Sequence, residues 1–223
     1  MTRNQTYLWL SIALVVVAFA GSIALYPSLP DTIPTHWNIR GEVDGYGAKQ
    51  WAVFLMPLMM AALLSFFWLL PWMSPKDFEI EPFASTFRFI MFTVIAMMAY
   101  MHGVILLATW QQVRGAGGTF DLGRALFGGI FLFLALVGNV MGKVRRNFWV
   151  GVRVPWTLAS DRVWNDTHRL AAWTMVAGGL GGFVMIVCGL PVVAAFTVLM
   201  VAVFVPVVYS FVHYKALERR GEL

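Results

Sequence analysis

The chain has 223 residues, of which 60% are apolar and 12% charged, and its mean hydropathy is +0.74. Soluble domains are nearer one quarter charged, so the composition excludes an ordinary soluble domain and predicts an integral membrane protein. The net charge of +5 comes from short segments beside apolar runs, which indicates contact with anionic lipid and argues against a nucleic-acid partner.

Six apolar runs are long enough to cross about 30 Å of hydrocarbon as helices. In chain order they cover residues 7–26, 51–72, 89–110, 125–141, 170–189 and 191–214. Pro57 lies inside the second run, and we expect a kinked but continuous helix because neighbours can satisfy the carbonyl that proline frees. The fold class predicted is an all-α integral membrane protein with six transmembrane helices.

The connection at residues 27–50 is rich in proline and glycine, which predicts a structured loop. Asp31, His36, Glu42 and Asp44 have atom types suited to a divalent cation, but their spacing matches no zinc signature. We prefer a structural interpretation, in which Asp31 caps a turn, His36 and Asn38 bond the loop backbone, and Asp44 opens a turn with the following glycine. No metal site is predicted.

His102 lies within the third run, where an imidazole is expected to face the bundle interior and find a partner. Cys188 also lies within an apolar run, and we expect it to pack there as a small hydrophobic residue. The pair Gly138 and Gly142, and the glycines of GGLGG at 178–182, would let helices approach closely, with Asn139 able to bond across such a contact. The GGLGG segment could equally be a flexible point.

The connection before the fifth run, residues 143–169, combines six Lys and Arg residues with three tryptophans, as expected of a membrane-surface loop. Ser160 is predicted to cap a helix that continues into the fifth run, with Asp161 at its positive end. Asp161, Asn165 and His168 would then share one helix face, while Arg162, Asp166 and Arg169 would form an ion-pair row on another. A role in fixing the loop to the helix ends is favoured over catalysis, because no nucleophile accompanies these groups.

Charge predicts the orientation of the six helices. With the N-terminus in the cytoplasm, twelve Lys and Arg residues lie inside and four outside, which the positive-inside rule favours. Both termini and the 143–169 loop are therefore expected in the cytoplasm, and the 27–50 loop outside.

A signature in the second half of the chain consists of Asn139, Asn147, the run Gly151-Val152-Arg153-Val154-Pro155-Trp156-Thr157-Leu158, Trp164 and Thr167-His168-Arg169. This signature resembles that of the SdpI family of bacterial membrane proteins. The family core usually has threonine where this chain has Val154. Upstream, Leu29-Pro30-Asp31, Ile33-Pro34, His36, Asn38, Gly41, Asp44 and Lys49 resemble an uncharacterised domain that is commonly joined to the SdpI module.

The resemblance implies a non-catalytic immunity or sensor protein of the bacterial inner membrane, which protects against a secreted antimicrobial peptide and needs no cofactor. It divides the chain into an N-terminal membrane region, residues 1–110, and an SdpI-like region, residues 122–216. Besides the bilayer, the implied partners are a secreted peptide toxin and a cytosolic regulator. The candidate ligand-binding residues outside are Asp31, His36, Asn38, Gly41 and Asp44, and the candidate motif residues inside are Asn139, Asn147, Gly151, Arg153, Pro155, Trp156, Thr157, Trp164, His168 and Arg169.

Two other function classes stay open at this point. A transporter is favoured by His102 and by the proline-interrupted helices, although a pump usually needs more ionisable groups within the membrane. A membrane-embedded enzyme is supported only by the Asp and His groups, since the sequence contains no nucleotide-binding loop, nucleophile motif or recognised metal signature.

Overall fold

The computed structural model describes residues 3–37, 43–115 and 121–223. The helices and strands are α1 (Arg3–Leu25), β1 (Thr32–Trp37), β2 (Val43–Ala48), α2 (Lys49–Met73), α3 (Ala84–Val113), α4 (Leu122–Met141), α5 (Pro155–Ala159), α6 (Asp161–Val187) and α7 (Val192–Arg220). Six of these helices are long and apolar enough to cross a membrane, which confirms the predicted multi-pass helical protein.

Strands β1 and β2 form an antiparallel hairpin within the connection that the sequence predicted as a structured loop. Asp44 and Gly45 lie inside β2 rather than in a turn, so that detail of the prediction is wrong. Gly45 is opposite His36, and a Cβ at Gly45 would lie 2.8 Å from the His36 Cβ. The hairpin therefore uses glycine here to bring the two strands together, as glycine in a strand often allows.

The hairpin is seated on the ends of α2 and α3. Ile33 of β1 is 2% exposed and belongs to one apolar cluster with Val53 of α2 and Leu106 of α3. Lys49, the first residue of α2, donates from Nζ to the Leu29 carbonyl at 2.9 Å and lies 3.2 Å from the Asp31 carboxylate. These contacts hold the hairpin at one end of the bundle, which we call the hairpin end.

A chain of buried polar contacts joins the first three helices. Pro57 has no N–H to donate to the carbonyl four residues earlier, and Ser22 of α1 donates to that freed carbonyl, Val53 O, at 2.9 Å. Nε2 of His102 on α3 lies 2.9 Å from the same Ser22 hydroxyl. His102 is 4% exposed, so the expectation of an inward-facing, partnered imidazole is confirmed.

Glycines bring α4, α6 and α7 into close contact. A Cβ at Gly179 of α6 would lie 2.7 Å from the Ala135 nitrogen of α4, and one at Gly178 would lie 2.5 Å from Ala202 Cβ of α7. On α4, a Cβ at Gly138 would lie 2.7 Å from Met175 Cβ of α6. The GGLGG segment is thus a packing face inside a continuous helix, because side chains there would force the three helices apart.

Cys188 corrects one sequence-based expectation. It is the exposed residue that ends α6, and the next residue, Gly189, has the positive φ of 77° typical of a helix terminus. The prediction of a packed interior cysteine is wrong, because Cys188 is exposed at the C-terminal cap of α6.

Candidate functional site

Residues 143–160, here called the motif loop, cover the end of the bundle opposite the hairpin. The loop leaves α4, contains the short helix α5 and enters α6. Ser160 caps α6 by accepting from the Val163 N–H at 3.5 Å, as the sequence predicted. Four of the candidate motif residues in this loop are buried or half-buried: Asn147, Gly151, Trp156 and Thr157.

Asn147 organises the first turn of the motif loop. Its side chain is completely buried, and Oδ1 accepts from the backbone N–H groups of Trp149 and Val150 at 2.7 and 2.8 Å. Nδ2 donates to the carbonyls of Arg145 and Val150 at 2.7 and 3.1 Å. An amide carries two donors and an acceptor oxygen, so this side chain is fully engaged in holding backbone.

His168 is buried under the middle of the loop. Its Nε2 accepts from the Val152 N–H at 3.0 Å, and its Nδ1–H donates to the Trp164 carbonyl at 2.8 Å. These roles define a neutral imidazole with the proton on Nδ1. The ring also stacks on Trp164, with the ring centres 4.0 Å apart.

Gly151 is the residue that lets the loop pass over His168. Its φ is +116°, a conformation that side-chain-bearing residues rarely adopt, and a Cβ there would overlap the His168 ring. Only glycine therefore satisfies both the backbone conformation and the close approach.

Thr157 closes the turn that leads into α5. Its buried hydroxyl accepts from the Val154 N–H at 3.1 Å and donates to the Val152 carbonyl at 2.7 Å. Pro155 is the first residue of α5, a position where the missing N–H has no helical partner to lose. Val154 occupies the N-cap position of this short helix and has no side-chain acceptor.

Tryptophans connect the motif loop to both halves of the protein. The Trp149 indole donates to Ser74 Oγ at the end of α2, at 2.8 Å. The Trp156 indole donates to Ser210 Oγ of α7 at 2.6 Å, and that of Trp164 donates to the Val144 carbonyl at 2.8 Å. The loop therefore ties together α2, α4, α6 and α7 at one end of the bundle.

The mixture of Arg, Trp and Pro in the loop predicts that Arg153, Trp156 and His168 form one polar cluster, and this prediction is wrong. Arg153 donates to the Phe148 carbonyl, whereas Trp156 bonds Ser210 and His168 bonds Val152. Arg146 has the acidic partner instead, with its Nε 2.7 Å from Asp161 and its Nη1 donating to the Leu158 carbonyl at 2.8 Å.

The helix-face predictions for α6 are wrong in detail. Asp161 is exposed and paired with Arg146, so it forms no triad with the buried His168. The expected ion-pair row is replaced by contacts to α7 and beyond, in which Asp166 lies 3.0 Å from His213 and Arg162 lies 2.7 Å from Glu222. Partners on another helix are nearer because α6 and α7 pack side by side.

Asn139 and Arg169 lie apart from the buried residues of the motif. Asn139 is exposed on α4, and Arg169 is exposed on α6. Neither is brought to the Asn147, Thr157 and His168 side chains, and the family resemblance is the only argument for including them.

At the hairpin end, His36 and Asp44 form a cross-strand pair, with Nδ1 2.5 Å from Oδ1. Both side chains are exposed, at 72% and 43%. The His36 contact is to a carboxylate rather than to loop backbone, which corrects the prediction. Asp31 is paired with Lys49, and the remaining candidates, Asn38 and Gly41, lie outside the described residues. Among the described residues no group of three acidic, His or Cys side chains could hold a metal ion.

The sequence did not identify three serines with partners far along the chain. Ser74 and Ser210 bond the Trp149 and Trp156 indoles of the motif loop, and Ser22 bonds the Val53 carbonyl among the first three helices. A hydroxyl within or beside an apolar run was the available signal, because such groups need partners across helix contacts.

Comparisons with known proteins agree with the resemblance. Residues 143–210 match the model of the SdpI/YfhL protein family, and residues 13–61 match a domain of unknown function, DUF1648. The chain is 27% identical over 170 residues to the immunity protein SdpI of Bacillus subtilis (strain 168), a match that covers 76% of each protein. No solved structure gives a significant match.

Proposed function

We propose that this protein protects the bacterial cytoplasmic membrane against a secreted antimicrobial peptide, with both termini in the cytoplasm and without catalysing turnover. Its similarity to an immunity protein over three quarters of the chain supports immunity as the general function. The observation that carries the proposal is the motif loop, whose buried polar side chains bind backbone and whose tryptophans reach both halves of the bundle.

The buried polar side chains of the motif loop and of α6 have a structural role. Asn147, Thr157 and His168 all use their polar atoms to hold backbone groups of the loop or of α6. General acid–base catalysis requires a group whose proton or lone pair can reach a reacting atom. Both ring nitrogens of His168 are already bonded to backbone groups, so it could act as an acid or base only after losing one of these bonds. The arrangement supports a positioning role for these residues.

The hairpin end offers the surface for the peptide. His36 and Tyr46 project from the hairpin, with Tyr46 64% exposed, and Trp51 beside it on α2 is 68% exposed. Aromatic side chains near a membrane surface supply contact area for a peptide that is itself attracted to that surface.

Helix α2 is the physical connection between the two ends. Its first residue, Lys49, holds the hairpin, and Ser74 at its other end accepts from Trp149 of the motif loop. A helix of 25 residues spans about 37 Å, enough to cross the membrane. A peptide bound at the hairpin affects the motif loop if it favours one arrangement of α2 over another.

The proposal predicts two separable classes of variant in a sensitive strain that expresses this protein. His36→Ala and Asp44→Asn should weaken binding of labelled peptide at unchanged protein level. Trp156→Phe and Arg153→Lys should leave peptide binding nearly unchanged but reduce survival, since Phe cannot donate to Ser210 and Lys lacks the guanidinium fork. Asp77→Asn, in the short connection at the other end, is the matched charge control for Asp44→Asn.

The measurements are survival, membrane protein level and peptide binding for each variant. Full protection by the hairpin and motif-loop variants alike would contradict the proposal. Chemical alteration of the peptide by purified protein would favour an enzyme, and energy-dependent movement of the peptide across vesicles would favour a transporter.

A further inference from the structure

An apolar groove runs along the outside of the bundle where α3, α4 and α6 meet. Its volume is about 480 Å³, and its walls include Met97 of α3, Leu132 and Leu136 of α4, and Phe183 of α6. Leu132 and Leu136 are 38% and 50% exposed, so the groove opens toward the side of the bundle. None of the residues that line the groove belongs to the hairpin or to the motif loop.

The groove ends at a guanidinium at the hairpin end. Arg124 lies in the first turn of α4, where its Nε is 3.0 Å from the Asp121 carboxylate. Asp121 also caps α4 by accepting from the Arg124 backbone N–H at 2.9 Å. This carboxylate orients the arginine through Nε, and a guanidinium has four further N–H donors on its two Nη atoms.

The shape of the groove is maintained by small residues and by a fixed tyrosine. Gly129 lies against the Tyr100 ring so closely that a Cβ there would overlap it. The Tyr100 hydroxyl donates to the Ala125 carbonyl at 2.8 Å and so holds the ring at the mouth of the groove. A side chain at Gly129 would displace this ring and change the space beside Arg124.

The length of the groove matches one leaflet of a bilayer. Leu136 lies twelve positions after Arg124 on α4, which is about 18 Å along the helix axis. Half of a hydrocarbon core is about 15 Å. An acyl chain lying in the groove would therefore reach from the membrane interior to the level of the headgroups, where Arg124 lies.

We propose that this groove binds one phospholipid, with an acyl chain between α3, α4 and α6 and its phosphate on the Nη atoms of Arg124. Guanidinium and phosphate form charge-assisted, often bidentate hydrogen bonds, which explains the position of a single arginine at the mouth of an apolar groove. The inference is independent of the immunity function, because none of the groove residues lies in the hairpin or the motif loop.

The test is native mass spectrometry of the full chain released from nanodiscs that contain phosphatidylglycerol and diacylglycerol with identical acyl chains. The protein should retain one phosphatidylglycerol and exclude diacylglycerol, which lacks the phosphate. Arg124→Gln should lower the ratio of lipid-bound to lipid-free protein about tenfold, the effect of losing one charge-assisted hydrogen bond. Leu132→Trp should lower it by filling the groove.

Arg114→Gln, at the same end of α3, and Leu180→Trp, on an exposed face of α6, are the matched controls and should retain the lipid. Equal retention by all four variants, or equal retention of diacylglycerol, overturns the proposal. Two other results would also overturn the proposal. A lipid-free dimer that Leu132→Trp breaks would show that a second copy of the chain fills the groove. Loss of peptide binding in Leu132→Trp without loss of lipid would assign the groove to the peptide.

Discussion

At the scale of single residues, Gly151 is the least replaceable position in the motif loop. Gly151→Ala should lower stability by about 1–3 kcal/mol from backbone strain alone, because alanine is disfavoured at a φ of +116°. The added methyl group would also displace the His168 ring and weaken its bond to Val152. Thermal unfolding of the purified variant measures the loss.

The control for this substitution is Gly103→Ala. Gly103 lies inside α3 and has open space around its Cβ position, so alanine there should leave stability equal or slightly higher. Equal melting temperatures for wild type and Gly151→Ala would show that the loop does not depend on this glycine.

Replacing Val154 should raise stability, whereas replacing Gly151 should lower it. It occupies the N-cap position of α5 with extended φ and ψ of −116° and 158°, a conformation in which a threonine hydroxyl accepts from the helix backbone. Val154→Thr should therefore raise stability by about 0.5–1 kcal/mol. A lower melting temperature for this variant than for wild type would mean that the valine methyl groups matter more than the missing cap.

At the scale of the helices, the buried contacts of Ser22 should determine how firmly α1, α2 and α3 hold together. Ser22→Ala leaves the Val53 carbonyl and the His102 ring without this partner and should cost about 1–3 kcal/mol. Ser65→Ala is the control, because the exposed Ser65 hydroxyl bonds only within its own helix, to Ala61 at 2.9 Å. Similar unfolding temperatures for the two variants would contradict a structural role for Ser22.

The helices themselves could be predicted from sequence, whereas their cross-contacts could not. A run of about twenty apolar residues forms a membrane-spanning helix in almost every case. The serine directly before Asp161 is a local signal for the start of a helix. The hairpin was missed because its strands contain Pro34, Gly45 and Gly47, which have low strand propensity.

The hydrogen-bond partners of the motif-loop tryptophans lie far away in the sequence, so no local pattern reveals them. Trp149 bonds a serine 75 residues earlier and Trp156 bonds one 54 residues later. Which of these indoles reaches which hydroxyl depends on how α2 and α7 pack beside the loop. The family resemblance identified Asn147, Gly151 and His168 as important, but only the structure shows that Asn147 and His168 bind the loop backbone on either side of Gly151.

At the scale of the whole molecule, the charge distribution predicts how the bundle lies in the membrane. Residues 143–169 and the C-terminal end of α7 together carry nine of the sixteen Lys and Arg residues, and the hairpin end carries few. By the positive-inside rule, the motif loop should face the cytoplasm and the hairpin the outside.

Cysteine labelling in intact cells tests this orientation. The exposed Cys188 must first be replaced by serine, and a cysteine is then introduced by Tyr46→Cys in the hairpin or by Glu218→Cys near the end of α7. A membrane-impermeant maleimide should label the first variant in intact cells and the second only after permeabilisation. The reverse pattern would establish the opposite topology.

The bond between Trp156 and Ser210 also bears on the order in which the protein is made. During synthesis the ribosome supplies Ser74 first, the motif loop next and Ser210 last, so Trp149 has its partner while Trp156 still lacks one. The motif loop can take its final form only once α7 has been inserted. A nascent chain stalled before α7 would therefore carry the Trp156 indole without its Ser210 partner.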